Sequence, residues 1–412
     1  MRVCIAAIGS TGDVLPYLGL GQQLTAQGFE VTIATHKSFE PFVAGAGLGY
    51  AFVPMEPRDS VSDELGERLR HGVRSAAKAI EQLYAPWVWD IAQAVDAACA
   101  GTDHLLLSAM AWTGVHSADG RGVPSWGLHL QPLEPTGAFA PAAMGARSFG
   151  PAVNRALGRR VQALMVRPHM AVVNALRQRH GLPAVSARDH LRMLRDRRWP
   201  VLHGFSPSVV PRPADWRPGL DVVGYWWPPA PSDWTPDPDL VDFLGCGPAP
   251  IYVGFGSTLP APAAELQAML RRISRALRIR MVVHSGWLDL RVDDDTIHTV
   301  GHVPHSWLLP RVRAAVHHCG AGTSAATLRA GIPSVPVPTT LDQPFWADRL
   351  RRLGVATEPI HSARLTEARL TAEVREAIEN PLLSRRAAEA RERLVRDNGA
   401  VAVADALSRR GR

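Results

Sequence analysis

The 412-residue sequence has almost no lysine: Lys37 and Lys78 are the only two, although the formal net charge is +7. Its 45 basic residues are therefore nearly all arginine, and most of them are scattered along the chain. Scattered arginine is typical of a solvated surface, whereas a nucleic-acid-binding protein gathers its basic residues on one face. We therefore predict no nucleic-acid partner. One denser arginine cluster is interpreted as the solvated end of a helix, with a membrane or an acidic small molecule as alternative contacts: Arg192, Arg195, Arg197 and Arg198.

Cysteine is also scarce, and long apolar runs are missing. The four cysteines have neither the paired spacing of a metal site nor the pattern of a disulfide framework, which favours a reducing compartment. No apolar run approaches the roughly 20 residues that span a bilayer. The first residues, MRVCIAAIGS, are too short and turn-like for a secretory signal. We expect a cytoplasmic protein with no stable membrane insertion.

The length and composition fit a globular protein of two domains. A chain of 412 residues exceeds one ordinary core and suits two domains of about 200 residues each. Hydrophobic residues at 46% and charged residues at 20% are ordinary values for such a fold.

The first half has the pattern of a parallel α/β sheet. A predicted strand at 3–8, a glycine-rich turn, a helix at 15–27 and a strand at 31–35 form a βαβ unit. Further strands are predicted at 50–53, 104–108 and 123–127. The helical, aromatic stretch 60–100 and the Pro- and Gly-rich loop 131–150 are typical of insertions that build a variable substrate pocket.

The second half repeats the α/β pattern after a proline-dense stretch. Residues 206–238 are predicted to be an interdomain linker without regular structure. A helix is predicted at 266–277 and a helical region at 367–410, and the predicted strands are 251–257, 281–284, 296–300, 314–317 and 334–337. We therefore divide the chain into an amino-terminal domain, a linker, a carboxy-terminal domain and a terminal helix, at 1–210, 211–238, 239–395 and 396–412.

The most informative segment is 317–342, HHCGAGTSAATLRAGIPSVPVPTTLD, which Gln343 follows. A β-type run meets Gly320, Gly322 and Thr323, and a helix opens at about Ala325. Glycine lets backbone amides approach an anion, and a helix N-terminus supplies free N–H groups and a positive dipole end. The segment predicts a cradle for a diphosphate.

The turn after the first strand carries a second candidate group, Asp13. From spacing alone, Asp13 in the GSTGDV turn is better explained as a first-turn carboxylate at a helix N-terminus than as a catalytic base. Ser10 and Thr11 either satisfy turn amides or contact a ligand. Gly19 and Gly21 lack a third glycine in register, so we interpret them as close-packing positions and not as a nucleotide fingerprint.

The cradle resembles the donor-binding signature of nucleotide-sugar-dependent glycosyltransferases with the GT-B fold. The positions of the plant signature are filled here by His318, Cys319, Gly320, Thr323, Gly331, Pro333, Asp342 and Gln343. The bacterial antibiotic and sterol glycosyltransferases are more similar still, because they share the GAGT core and the continuation DQPFWADRL. One departure is Ala326, which stands where the plant signature has a ribose-binding Glu.

The resemblance implies a fold and a set of roles. The fold would be two Rossmann-like parallel-sheet domains facing across a cleft, with a UDP- or dTDP-sugar as co-substrate and no other cofactor. Asp13 would be the base that deprotonates an acceptor hydroxyl. The donor would be bound by Ser10, Thr11, Gly12, Ser257, Trp287, His302, Val303, His318, Gly320, Ala321, Gly322, Thr323, Asp342 and Gln343. An apolar acceptor would suit Trp87, Met110, Trp112, His129, Gln131, Phe139 and Met144.

The predicted reaction is an inverting transfer of a hexose or deoxyhexose to a hydroxyl of an apolar polyketide, macrolide or glycopeptide-type aglycone. One base without a carboxylate nucleophile implies a single displacement. A sterol or other lipid is the alternative acceptor. A nucleotide-sugar epimerase and a catalytically silent partner are weaker alternatives, because the aromatic insertion suits an aglycone and Asp13 accompanies a complete cradle.

A metal-binding motif is present only in form. Asp293, Asp294 and Asp295 match the DxD pattern that holds a divalent cation in another glycosyltransferase class. They are interpreted as a solvated loop, since they lie in a polar stretch between two predicted strands, far from the cradle in sequence. A helix N-terminus can replace a metal beside a diphosphate. We predict no metal requirement, and the sequence leaves the oligomeric state open.

Overall fold

The computed structural model describes residues 1–410 except 57–81, 83, 146, 230–233, 258, 288 and 293. Within these residues the chain forms two separate parallel sheets, one of seven strands and one of five. We call the first sheet with its helices the amino-terminal lobe and the second the carboxy-terminal lobe.

The amino-terminal lobe alternates strands and helices along the chain. Its strands are β1 (Arg2–Ala6), β2 (Glu30–Thr35), β3 (Gly49–Phe52), β4 (His104–Leu107), β5 (Ser125–His129), β6 (Val201–His203) and β7 (Leu220–Val222). Its helices are α1 (Thr11–Ala26), α2 (Glu40–Gly45), α3 (Val88–Cys99), α4 (Gly114–Arg121), α5 (Pro151–Val166), α6 (Met170–Arg179) and α7 (Ala187–Asp196).

The carboxy-terminal lobe has the same alternation and ends in helices. Its strands are β8 (Ile251–Gly254), β9 (Met281–His284), β10 (Ile297–Val300), β11 (Ala315–His317) and β12 (Ser334–Pro336). The helices that follow β7 are α8 (Pro238–Gly245), α9 (Ala263–Leu277), α10 (His305–Leu308), α11 (Ala321–Ala330), α12 (Gln343–Arg352), α13 (Glu367–Glu379), α14 (Pro381–Leu394) and α15 (Gly399–Arg410).

The strand order places a crevice in each sheet. The orders are β3-β2-β1-β4-β5-β6-β7 and β10-β9-β8-β11-β12, so the connections reverse direction between β1 and β4 and between β8 and β11. Every pairing in both sheets is parallel, for example Val3 with His104 and Val316 with Val253. Ligands of open α/β sheets bind at such switch points, outside the carboxyl ends of the strands. The Asp13 turn follows β1 and the glycine cradle follows β11, so both candidate segments lie at these points.

Alternation along β1 separates two cores. Val3, Ile5 and Ala7 pack on the side of α1, whereas Cys4, Ala6 and Ile8 belong to a cluster on the opposite side of the sheet. This second cluster extends without interruption into the carboxy-terminal lobe, where it includes side chains of α11, α12 and α14. The α1 core in turn includes four residues of the last helix, α15: Ala400, Val403, Ala404 and Leu407. The two lobes therefore share buried apolar surface.

The structure differs from the predicted elements in the linker. Strand β7 lies inside the stretch 206–238, which we expected to have no regular structure, and Val201 of β6 pairs with Leu220 of β7. Both strands have only three residues, so neither gives a periodic signal, and neighbouring strands make them regular. The helical region 367–410 is confirmed, but it consists of three helices, α13 to α15.

The arginine cluster and the two glycines of α1 have the surroundings that the sequence predicted. The arginine cluster is exposed at the end of α7, where Arg197 pairs with Asp119 at 2.6 Å. Gly19 and Gly21 are confirmed as close-packing positions: a Cβ on Gly19 would overlap the carbonyl of Trp227, and one on Gly21 would lie 2.8 Å from a methyl of Leu48. We predicted a helical stretch at 60–100, and most of it lies outside the described residues, because 57–81 and 83 are not described. In the part of the chain that is described, no helix has the length and apolarity needed to cross a bilayer.

Candidate active site between the two lobes

Asp13 is held by the turn that links β1 to α1. Ser10 caps the helix, and both its backbone N–H and its hydroxyl donate to Oδ2 of Asp13, at 3.0 and 2.9 Å. Gly9 adopts φ +132°, and a Cβ there would lie 2.7 Å from the same oxygen. Only glycine fits this position. The groups of Ser10 that we expected to contact the sugar donor are thus used inside the turn. The backbone amides of Thr11 and Gly12 belong to the first helical turn and have no partner within the helix.

The surroundings of Asp13 make its carboxylate more basic. Burial raises its pKa above the ordinary aspartate value, and hydrogen bonds from Ser10 and from the side chain of Gln131 only partly offset this effect. Tyr17 and Tyr84 lie close enough for the Asp13 charge to raise their own pKa values further. A carboxylate that loses water in this way accepts a proton more readily.

His36 supports this turn and was missed from the sequence. It follows β2 and is fully buried, and its Nε2 accepts the backbone N–H of Gly9 at 3.1 Å. Burial lowers the pKa of His36, so the ring is neutral and serves as an acceptor. A lone His after a strand gives no sequence signal for this role, because the contact spans 27 residues.

The glycine cradle forms the N-terminus of α11. Gly320 is the cap residue, and the hydrogen bond from the amide of Ser324 to the carbonyl of Gly320, at 2.9 Å, opens the helix. The amides of Ala321, Gly322 and Thr323 therefore precede the intrahelical hydrogen-bond ladder and are free to bind an anion. Cys319 has φ +62°, which is strained for a residue with a side chain. Such strain is common at ligand-binding turns.

His318 lies between two glycines. A Cβ on Gly256 would be 3.0 Å from its Cε1, and one on Gly320 would be 2.6 Å from its Nε2. Within the described residues its Nδ1 has no hydrogen-bond partner. Burial lowers the pKa of His318 to about 4, despite the opposing effect of the Gly254 carbonyl. The ring is neutral at pH 7 and has one N–H to donate.

Neighbouring histidines are neutral for the same reason. Burial lowers the pKa of His284 to about 4 and those of His305 and His317 to about 3, with further lowering from adjacent rings. No imidazolium charge is thus available to a diphosphate from these rings at pH 7. The helix dipole and the unpaired first-turn amides of α11 supply positive potential there.

The two helix N-termini face each other across the cleft. A Cβ built on Gly322 would lie 4.0 Å from the Cα and the carbonyl oxygen of Gly12. The turn that carries Asp13 and the cradle are therefore in van der Waals proximity, although some 310 residues separate them.

Asp342 and Gln343 begin α12 on the same cleft. Trp346 donates its indole N–H to Oδ2 of Asp342 at 2.7 Å, and Oε1 of Gln343 accepts the amide of Thr339 at 2.8 Å. Burial raises the pKa of Asp342 to about 6, and the negative charge of Asp13 adds to the effect. The second oxygen of Asp342 and the amide NH₂ of Gln343 are the groups left for a ligand.

The other predicted donor residues lie around the ends of β8, β9 and β10. The backbone N–H of Trp287 donates to the carbonyl of Gly256 at 3.1 Å, next to the half-buried Ser257. His302 is exposed, with Val303 beside it, and its ring meets Phe42 of α2 edge-on at 5.5 Å between centroids. Phe42 belongs to the other lobe and had no sequence signal for this position.

The predicted acceptor residues divide into two groups. Gln131, Phe139 and Met144 lie on one segment, in which Gln131 reaches Asp13 and Phe139 packs on Phe345 of α12 at 5.2 Å. The remaining residues lie elsewhere: Trp87 is exposed before α3, Met110 packs against the core, Trp112 lies against His190 at 5.0 Å, and His129 is buried against His203 at 5.8 Å.

One residue of the aspartate triplet, Asp294, is engaged in a local ion pair. Asp294 pairs with Arg275 at 2.9 Å, and this hydrogen bond, against the effect of burial, lowers its pKa. Asp293 lies outside the described residues. Within the described part of the chain, no group of three or more His, Cys, Asp or Glu side chains is placed to hold a metal ion.

Comparison with known proteins gives matches over both lobes. Residues 281–408 match the family model for the erythromycin biosynthesis protein CIII-like C-terminal domain, and residues 3–110 match the glycosyltransferase family 28 N-terminal domain. The chain is 35% identical over 415 residues to the O-mycaminosyltylonolide 6-deoxyallosyltransferase of Streptomyces fradiae, covering 97% of this chain and 95% of that protein.

A second relative and a solved structure extend the comparison. The sterol 3-beta-glucosyltransferase of Debaryomyces hansenii is 29% identical over 98% of this chain, which spans only 26% of that longer protein. The crystal structure of glycosyltransferase VinC in complex with dTDP has a TM-score of 0.67 at 19% identity and covers 99% of both chains. The chain belongs to the UDP-glycosyltransferase family and is a GT-B glycosyltransferase of the antibiotic type, an enzyme whose co-substrate is a nucleotide sugar.

Proposed function

We propose that the protein transfers a hexose or deoxyhexose from a UDP- or dTDP-sugar to a hydroxyl group of an apolar natural product, with inversion at the anomeric carbon. The observation that carries the proposal is the approach of Gly12 to Gly322. It brings a carboxylate on one lobe and an anion-binding helix N-terminus on the other to a single cleft.

The chemistry assigns one role to each lobe. Asp13 accepts the proton of the acceptor hydroxyl as its oxygen attacks the anomeric carbon. The bond between that carbon and the diphosphate oxygen breaks, and its electron pair stays on the diphosphate. The free amides of Ala321, Gly322 and Thr323 and the neutral His318 donate hydrogen bonds to that charge. One displacement on one face inverts the configuration.

The two residues that open α12 would bind the sugar. The free oxygen of Asp342 accepts from a sugar hydroxyl, and the amide NH₂ of Gln343 donates to another, because their remaining polar atoms are held by Trp346 and Thr339. Paired polar contacts of this kind discriminate well between epimers.

The relatives support a natural-product acceptor. The Streptomyces fradiae protein is named for transfer of a 6-deoxyallosyl group to O-mycaminosyltylonolide, and it aligns over almost the whole of both chains. The dTDP of the VinC structure supports a thymidine nucleotide as donor. A sterol is the second candidate acceptor, since the Debaryomyces hansenii protein aligns over 98% of this chain.

A two-step experiment tests the proposal. Thermal shift with UDP-glucose, UDP, dTDP-glucose and dTDP identifies the nucleotide, because a ligand at 100 times its Kd stabilises by about 2.7 kcal/mol. The preferred donor class is then incubated with O-mycaminosyltylonolide or ergosterol, and proton NMR of the product gives the anomeric configuration. A product that keeps the donor's configuration, or donor epimerised without transfer, would contradict the proposal.

A further inference from the structure

The segment 131–145, which we call the acceptor loop, touches both halves of the cleft. At its start, the side chain of Gln131 hydrogen-bonds Asp13. In its middle, the ring of Phe139 packs on Phe345 at 5.2 Å between centroids and lies 5.2 Å below the guanidinium of Arg349. Phe345 and Arg349 belong to α12, the helix that begins directly after Asp342. The loop therefore links the candidate base to the sugar-binding helix of the opposite lobe.

Asp215 anchors the middle of this loop. Its Oδ1 accepts the hydroxyl of Thr136 at 2.6 Å, and its Oδ2 accepts the amide of Gly137 at 2.7 Å. Arg155 of α5 donates to Oδ2 from both Nε and Nη2, at 3.0 and 2.8 Å. Burial opposes the charge, but these hydrogen bonds hold the pKa of Asp215 below its ordinary range, so the carboxylate is ionised at pH 7.

Asn154 holds the same point from the other side. It is fully buried, and its Nδ2 donates to the carbonyl of Gly137 at 3.1 Å and to Oγ of Ser148 at 2.9 Å. Both polar backbone groups of Gly137 are thus fixed by side chains. A Cβ on Gly137 would lie 2.9 Å from the ring of Pro151, so the loop is pressed against the start of α5 at this residue.

We propose that Asp215 and Asn154 are positioning residues for sugar transfer, because they fix Gly137 and thereby set Gln131 against Asp13 and Phe139 against α12. The inference rests on the proposed function. Neither residue contacts the reacting groups: each acts through the acceptor loop. A hydrogen-bonded anchor suits this role, since a displacement of about 1 Å at a reacting centre can cost a hundredfold in rate.

The variant Asp215→Asn tests the inference, because one of its two oxygens becomes an NH₂ that cannot accept from Thr136 or Gly137. Asp119→Asn is the matched control: Asp119 also pairs with an arginine in this lobe, and the side-chain exposures of the two pairs are similar, 23% and 32% against 28% and 39%. Thr136→Val is a second variant, which removes the hydroxyl with almost no change in volume.

The acceptor is O-mycaminosyltylonolide or ergosterol, whichever the wild type glycosylates. For each variant we measure four quantities: kcat, the KM for the acceptor, the dissociation constant of dTDP or UDP, and the melting temperature. We expect Asp215→Asn and Thr136→Val to lose about tenfold in kcat/KM for the acceptor, with nucleotide affinity within twofold of wild type. The acid limb of kcat/KM should also move to higher pH, because the hydrogen bond from Gln131 lowers the pKa of Asp13.

Two results would overturn the inference. Both variants could behave as Asp119→Asn does, or they could lose nucleotide affinity, kcat and melting temperature together, as a merely structural anchor would. A wild type that transfers no sugar to any acceptor would instead refute the proposed function, and the inference with it.

Discussion

Replacement of Asp13 by asparagine separates the catalytic role of this residue from its structural role in the turn between β1 and α1. Asparagine keeps one oxygen that can accept from Ser10, which donates at 3.0 Å from its amide and at 2.9 Å from its hydroxyl, but it cannot take a proton at neutral pH. A positioned general base contributes about 10² to 10⁴ in rate, equivalent to about 3 to 5 kcal/mol of activation free energy. We therefore expect kcat to fall by about a thousandfold.

The same variant should be almost as stable as wild type. Burial raises the pKa of Asp13, so the fold disfavours its charge, and the neutral amide avoids that cost. The loss of one hydrogen-bond acceptor costs about 1 kcal/mol, which offsets the gain. The free energy of unfolding should stay within about 1 kcal/mol of wild type. The affinity for dTDP or UDP should change less than threefold, because the cradle belongs to the other lobe.

The assay combines single-turnover product formation with calorimetric binding of the nucleotide and urea denaturation. Asp13→Ala provides a comparison, since it also removes the contact with Ser10 and should cost about 1 kcal/mol more in stability. If Asp13→Asn keeps more than a tenth of the wild-type turnover, Asp13 is a structural residue of the turn and not the base.

Changes at Asp342 and at Gly322, and removal of divalent metal ions, should have separate effects. Asp342→Asn should change the pH dependence of stability, because burial and the negative charge of Asp13 disfavour the ionised form of Asp342. Since the fold raises the pKa of Asp342 to about 6, wild-type stability falls as pH rises towards 6. The variant should therefore gain up to about 3 kcal/mol over wild type between pH 4 and pH 7 in urea titrations, and an equal difference at both pH values would contradict this reasoning. Gly322→Val should lower kcat/KM at least tenfold, because its methyl groups would fill the gap to Gly12, whereas Gly45→Val, with no atom within 4 Å of the new Cβ, should leave kcat/KM within twofold. Dialysis against EDTA should leave kcat unchanged; activity lost and then restored by Mg²⁺ would show that a metal is needed.

The local elements follow from local sequence. The run at Val3 to Ile8, the glycine turn and the apolar helix after it give a βαβ unit. In each segment the apolar residues recur with the period of one type of element, a strand or a helix. The strand Met281–His284 has the predicted bounds. The cradle is equally local, since a helix with Gly320 at its cap leaves its first amides unpaired in any fold. Short strands such as Leu220–Val222 cannot be predicted from local periodicity, because only pairing with a neighbouring strand makes their backbone regular.

The contacts that join distant residues could not be obtained in this way. The hydrogen bond of His36 to Gly9, the edge contact of Phe42 with His302 and the anchoring of Gly137 by Asp215 connect residues 27, 260 and 78 positions apart. No spacing in the chain encodes them. They depend on how the helices and loops pack above the sheets, and that packing is the sum of many small interactions.

The sequence by itself determined which chemical groups the protein has: a carboxylate at one helix N-terminus, an anion-binding turn at another, and two polar residues at the start of a third. The tertiary structure decided their relation. It placed Gly12 against Gly322 and let the charge of Asp13 raise the pKa of Asp342. The physical reason is one of range, because backbone propensity and side-chain periodicity act over a few residues, whereas burial and charge act on whatever the folded chain brings together.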